Sequence, residues 1–417
     1  MKSKKLQMKV KRMLTFLTAA TLILTSVLAP GVTVLASSKN GDLPDFAPAG
    51  KTLRNVMYYG DWSIWGGQGN FYPGGIPADQ LTHLNFAFLD FDGNGNLVFT
   101  DKDAAVGAPV GMDGVQWGAE NAGILSALQD LRAANPNLRI GVSIGGWSKS
   151  GDFTAVAKNA ATRAKFVENV MKFIKYTNMD FVDIDWEYPC IRVGGIDGDS
   201  RDKENFTLLM KEFRLVLDQK KDRSYFLSIA AGGDEYFTLC TQMDQVQQYL
   251  DYVQLMTYDL KGGFTILTGH HAGLYSNQVD LFPSSADRAV QCFVQAGVPI
   301  EKLVLGAAFY SREWKEVPDI DHGFNQMAQT VGNYGPPYHT LVNDYINKNG
   351  YIKYWDEEAM APYLYNGETF ISYDDKESLA CKADYVRSKN LYGIMYWEYG
   401  CDETHTLTGW LRKKLDS

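Results

Sequence analysis

Asp180-Phe181-Val182-Asp183-Ile184-Asp185-Trp186-Glu187-Tyr188-Pro189 sets four carboxylates within eight residues of an apolar, β-forming stretch. The side chains of a strand alternate, so Asp183, Asp185 and Glu187 share one face and Asp180 falls out of phase with them. Three acids stacked on one face resist simultaneous ionisation. At least one proton affinity rises, leaving a carboxyl able to donate a proton near neutral pH. A calcium loop would need glycine and flexible backbone between its ligands. The intervening Phe181, Val182, Ile184 and Trp186 demand a rigid, buried strand instead. The stretch therefore reads as a catalytic strand, with Asp180 a structural residue that hydrogen-bonds the interior of the fold.

Outward from this strand, short apolar runs recur at Asn55–Gly60, Thr82–Asp90, Arg139–Trp147, Met179–Tyr188, Tyr225–Gly233, Asp251–Asp259, Lys302–Tyr310 and Leu391–Tyr399, which predicts eight strands. Helical spacing of apolar residues lies between several of them, at Asn121–Ala134, Thr162–Thr177, Lys203–Gln219 and Ser285–Ala296. This alternation predicts an α/β fold, a (β/α)8 TIM barrel. A doubly wound open sheet usually has fewer strands and a Gly-rich turn after the first, and Tyr58-Tyr59-Gly60-Asp61-Trp62 is no such turn. The stretch from about 315 to 390 is too long for one loop and helix, so a subdomain is expected between strands 7 and 8.

In such a barrel the chemistry collects at the C-terminal strand ends. Ser143-Ile144-Gly145-Gly146-Trp147 closes the third predicted strand, Met256-Thr257-Tyr258-Asp259 the sixth, Phe309-Tyr310-Ser311-Arg312 the seventh and Met395-Tyr396-Trp397-Glu398 the eighth. Together with D-x-x-D-x-D-x-E followed by Tyr-Pro, these motifs resemble family 18 glycoside hydrolases, the chitinases and their relatives, over residues from about 55 to 400. Two positions depart from the family pattern: Phe181 and Ser311 stand where glycine is usual. The insertion, with Tyr354-Trp355-Asp356, Ala361-Pro362-Tyr363 and Phe370 to Asp375, resembles the α+β insertion that walls the substrate groove in the deep-cleft branch.

The resemblance implies a secreted chitinase that cuts β-1,4 bonds between N-acetylglucosamine units with retention. Glu187 would be the general acid. The attacking group would be the substrate's own acetamido oxygen, as this family is an exception to the two-carboxylate scheme. Asp185 would orient that group and stabilise the oxazolinium, Asp183 would share a proton with Asp185 from below, and Ser143 would tune the pair. Tyr258 would donate to the acetamido oxygen, Met256 and Asp259 would line the sugar site, and Trp397 would form its floor. Tyr310 and Arg312 would contact the acetamido group or its neighbours, and Tyr58, Phe86 and Trp147 are candidate cleft walls. The alternatives are an endo-β-N-acetylglucosaminidase acting on N-glycans and a chitin-binding lectin without activity. Lectins of this family typically lose the terminal acid, which is retained here as Glu187.

The N-terminus carries Lys2, Lys4, Lys5, Lys9, Lys11 and Arg12, then an apolar stretch from Met13 to Ala29 and a small-residue site at Val34-Leu35-Ala36-Ser37. It reads as a secretory signal peptide over residues 1–36, too short to serve as a membrane anchor, with the catalytic unit over 37–417. Its removal leaves 34 basic against 49 acidic groups, a net charge of −15. Such a chain is a poor partner for nucleic acid. An uncharged polymer stays acceptable, and the nine Trp and 24 Tyr suit the flat apolar faces of pyranose rings. The five cysteines are too few and scattered for a disulfide framework. Free thiols are the default, with Cys381 and Cys401 able to pair if the fold joins them. No metal or cofactor motif is present, and a monomer is expected.

Overall fold

The computed structural model describes residues 52–66, 70–193, 196–220 and 222–417; the leader read over 1–36 lies outside them. Among the described residues, fourteen strands form two sheets. Eight of them close a parallel barrel: β1 (Arg54–Gly60), β2 (His83–Phe91), β4 (Arg139–Gly145), β5 (Phe181–Asp185), β6 (Phe226–Gly232), β7 (Tyr252–Met256), β8 (Leu303–Ala308) and β14 (Gly393–Trp397). Pairing of β1 with both β2 and β14 closes the ring. A short β3 (Leu97–Phe99) folds back antiparallel on β2. The barrel strands are buried along nearly their whole length, as expected of strands covered on both faces.

Helices α1 (Ile124–Ala134), α2 (Ala160–Tyr176), α3 (Asp202–Asp218) and α4 (Ala286–Gln295) lie within three residues of where the spacing of apolar positions put them, and α5 (Lys376–Ser388) and α6 (Thr406–Asp416) follow later in the chain. Three of them start on side-chain caps: Asn159 for α2, Ser285 for α4, and a reciprocal Asp375/Ser378 capping box for α5. No helix among the described residues is long and apolar enough to cross a membrane.

Between β8 and β14 lies a five-stranded antiparallel sheet in the order β10-β9-β13-β12-β11, formed by β9 (Tyr310–Trp314), β10 (Asn333–Pro337), β11 (Ile352–Asp356), β12 (Ala361–Tyr365) and β13 (Phe370–Ser372). The sheet begins at Tyr310, earlier than residue 315, and the Phe309-Tyr310-Ser311-Arg312 motif straddles two elements. Strand β8 stops at Ala308, whose N–H donates to Asp374, and Phe309 N–H turns to the Trp397 carbonyl at 2.8 Å. Tyr310 and Arg312 thus belong to the first insertion strand rather than to the seventh barrel strand. Helix α5 packs against β8, β14 and α6, so it belongs to the barrel's outer layer.

Candidate active site

The register of β5 against its neighbours sets the centre of the site. Asp183 sits level with Ser143 on β4 and Ser228 on β6, and Gly145 lies level with Asp185. Inside the barrel, one carboxylate oxygen of Asp183 accepts from Ser228 (2.6 Å) and Gln254 (2.9 Å), and the other from Tyr58 (2.8 Å) and Ser143 (2.9 Å). Gln254 also donates to the Tyr58 oxygen at 2.9 Å. Burial raises the Asp183 carboxyl, and these four donors pull it back toward the charged form. All of its acceptor positions are engaged by these four donors. Below it, Phe181 lies over Gly141 on β4, where a Cβ would come within 2.3 Å of the ring. The missing side chain at 141 makes room for the aromatic that replaces glycine at 181.

Asp185 is 3 % exposed and its Oδ1 has no partner. Burial, then the charges of Glu187 and Asp183, push it well above the usual carboxylate range. Glu187 is pushed up to about 7, first by burial and further by the charge of Asp259, against a lowering hydrogen bond with Tyr188. A carboxyl held there is half protonated at neutral pH, the condition for a general acid. Its backbone is fixed by the Ser150 hydroxyl, which accepts from Glu187 N–H at 2.9 Å. Gly145 and Gly146, at φ 108° and 87°, let β4 turn across this point. A Cβ at 145 would meet the Asp185 carbonyl at 2.2 Å, so the two glycines set how closely β4 approaches the acid strand.

Above the acids, Trp397 at the end of β14 stacks on Phe88 (5.5 Å, 20°) and packs on Trp62 (5.8 Å) and Tyr58 (5.6 Å). Tyr258 and Met256, partly buried, pack around the same cluster. Arg312 clamps Asp259 with two bonds, 2.7 and 2.5 Å, and the Tyr310 hydroxyl donates to it at 2.6 Å. Burial would raise Asp259, but the two bonds from Arg312, the arginine's charge and the nearby His271 ring, 3.7 Å away, hold it below the usual range. The sequence-derived candidates Ser143, Asp183, Asp185, Glu187, Met256, Tyr258, Asp259, Tyr310, Arg312 and Trp397 thus converge at one end of the barrel.

Three candidates sit differently from their expected roles. Tyr58 is 2 % exposed beneath the acids and serves Asp183 rather than a cleft wall. Phe86 is fully buried, and with Asn85 bonded to Gln254 inside the barrel, strand alternation turns Phe86 to the helix layer. The aromatic that packs on Trp397 is Phe88, inside the stretch between Phe86 and Leu89 where the β2–β4 pairing is irregular. Asp180 meets no barrel-interior partner: at the opposite end it takes Arg132 (2.8 Å), Arg223 (3.2 Å) and Arg139 (3.8 Å), and accepts from Ile140 N–H. Trp147 stands open beside Phe264, ring centres 5.9 Å apart. Cys381 and Cys401 are both free.

Other residues of the site carried weaker sequence signals. Ser228 and Gln254 lie in plain apolar strands, and only their inward phase marks them. Tyr334 comes from the insertion and lies with its ring 4.0 Å from the Arg312 guanidinium. Glu398 follows Trp397; burial pushes it up to about 7, against a bond from Trp62 Nε1 at 3.1 Å, and its Oε2 is buried without a partner. No group of three or more His, Cys, Asp or Glu side chains among the described residues is placed to hold a metal ion.

Comparison with known proteins covers the stretch of chain that builds the barrel and its insertion. The profile of the Glycosyl hydrolases family 18 matches residues 54–402. The chain is 34 % identical to Chitinase A1 of Niallia circulans over 89 % of its own length and 60 % of that protein's. It is 32 % identical to Chitinase 1 of Aphanocladium album, covering 84 % and 82 % respectively. Among solved structures, it resembles a family 18 N-acetylglucosaminidase from Paenibacillus barengoltzii at 42 % identity and TM-score 0.77, over 87 % of this chain and 100 % of that one. It also resembles chitinase ChiA74 from Bacillus thuringiensis at 30 % identity and TM-score 0.81, over 88 % and 70 %.

Proposed function

The chain belongs to the glycosyl hydrolases of family 18, and from that premise we propose that it is an exported chitinase hydrolysing β-1,4 bonds between N-acetylglucosamine units, with retention. The observation that carries this reading is the acid stack: an Asp183 held by four donors, a buried Asp185 with a free oxygen, and a Glu187 poised near 7. In the proposed sequence Glu187 gives its proton to the glycosidic oxygen. The substrate's acetamido oxygen attacks the anomeric carbon as the leaving sugar departs. Asp185 accepts from the acetamido N–H and stabilises the positive ring, and Tyr258 donates to the acetamido oxygen. Water then opens the intermediate while Glu187 takes back a proton.

The aromatic floor of Trp397 and Phe88 supports a ring with an apolar face, and the leader over residues 1–36 supports export. A second reading is supported by the 42 % identity to the N-acetylglucosaminidase: release of single N-acetylglucosamine units. Mass spectrometry of products from chitin hexasaccharide, with Glu187→Gln as control, separates the two. Early chitobiose and chitotriose favour the chitinase reading and early monomer the second. Cleavage of a high-mannose glycopeptide alone would move the enzyme to N-glycans, and binding without cleavage of either substrate would overturn the catalytic reading.

A further inference from the structure

Three residues beyond Glu187, Cys190 leaves β5 in the left-handed region, with φ 65°. Its sulfur lies 3.7 Å from the carbonyl oxygen of Cys240 and 3.6 Å from that of Ser200. Cys240 ends the short helix Glu235–Leu239 that follows β6. The two cysteines come from loops after adjacent, directly paired strands, 50 residues apart in sequence. Both are half-buried, open enough for a small oxidant to reach them. The other thiols are placed otherwise: Cys292 meets the Thr238 hydroxyl at 3.3 Å, and Cys401 lies against Ala308 and Tyr310.

We propose that Cys190 and Cys240 are a disulfide site, oxidised by a small-molecule or protein disulfide, that fastens the chain leaving the acid strand to the next loop of the barrel. The Cys190 thiolate attacks one sulfur of the oxidant's disulfide, forming a mixed disulfide and expelling one thiolate. The Cys240 thiolate then attacks the Cys190 sulfur and expels the second. Two protein thiols lose two electrons and two protons, and the oxidant is reduced to two thiols. The Cys190 sulfur lies against the Cys240 backbone, and burial first, then the charge of Cys240, push the Cys190 thiol up to about 12. Few thiolates exist at neutral pH, so bond formation speeds up roughly tenfold per pH unit from about 7 to about 9 as the thiolate fraction grows.

The bridge would close a loop around the whole of α3 and β6 and tie down the chain that follows Glu187. A link of this span restricts the unfolded chain most, and its reduction is expected to lower Tm by roughly 3–6 °C. The purified protein is equilibrated in a glutathione redox buffer, denatured without reductant, alkylated and mapped by mass spectrometry. This readout is independent of export and of the substrate. Three alkylated cysteines of the five, with a linked Cys190–Cys240 peptide two hydrogens lighter than its parts, is the expected result. Five alkylated cysteines, or a link involving Cys292 instead, overturns the proposal. Reduction should lower Tm in the wild type and leave both Cys190→Ser and Cys240→Ser unchanged; an equal shift in either variant also overturns it.

Discussion

The two ends of one strand treat carboxylates in opposite ways. At its start Asp180, 2 % exposed, is answered by Arg132, Arg139 and Arg223 and by a backbone N–H. At its end Asp183, Asp185 and Glu187 are equally buried, yet none is within ion-pair distance of a Lys or Arg among the described residues. Neutral donors hold Asp183 in place, and burial and mutual repulsion push Asp185 and Glu187 up. A cation at this end would pin the acids in their charged form and remove the proton that the reaction needs. The start of the strand is built for stability, and the end gives up stability for proton affinity.

The largest test of that contrast is Glu187→Gln. The reaction should slow at least 10²-fold, and up to about 10⁴-fold, because the proton donor is gone. The same change should stabilise the fold at neutral pH. Glu187 titrates near 7 in the folded protein and near 4.5 unfolded, so below about 4.5 both states are protonated and the folded group costs nothing. Between about 4.5 and 7 the unfolded chain ionises first, and the wild type loses stability as pH rises. Above 7 the deficit relative to Gln should level off at roughly 3 kcal/mol. Denaturant unfolding of both proteins at pH 4 and pH 8 checks this, and equal stabilities at pH 8 would end the idea that this acid is held under strain.

Asp180→Asn should do the reverse. It strands three partly exposed arginines and should lower stability by roughly 2 kcal/mol. The kcat at a temperature where the variant is folded should stay within about twofold of wild type, since no chemistry is routed through the start of the strand. A kcat loss as large as that of the Glu187 variant would erase the division of labour.

The division was legible in part. Phase along the strand separates Asp180 from the other three, and the strand-end motifs assemble as the (β/α)8 reading requires. What phase could not supply was the partner at each end. The arginines of Asp180 come from three places, positions 132, 139 and 223, that no local pattern links. Phe86 and Phe88 differ by two positions, and alternation alone would give them the same direction; the pairing with β4 is irregular between Phe86 and Leu89, and Phe88, inside that stretch, packs on Trp397 instead. Gly141 accommodates the ring of Phe181 forty residues away in sequence, a contact readable only once β4 and β5 are paired.

A sharper probe of the acid end is Asp259→Asn. The charge of Asp259 helps raise Glu187, so its removal should lower the proton affinity of the acid. The alkaline arm of kcat/KM, expected near pH 7 in the wild type, should move to lower pH. A move to higher pH would mean that the Arg312 clamp, released from Asp259, acts on Glu187 in some other way.

The smallest expected effect tests whether the donors around Asp183 matter to chemistry or only to packing. Ser228 gives Asp183 its shortest bond, 2.6 Å, and Ser228→Ala removes it while Tyr58, Ser143 and Gln254 remain. A bond to a charged group is worth about 1.5–3 kcal/mol, and three surviving donors share the loss. The Asp183 proton affinity should rise. Its charge is one cause of the high affinity of Asp185, so a more protonated Asp183 lets Asp185 ionise more easily. The kcat should fall severalfold with KM nearly unchanged, and Ser228→Thr, which keeps the hydroxyl, should restore most of it. A purely structural role for Ser228 would instead lower Tm with kcat intact, and the neutral cradle would then count with Asp180 as architecture.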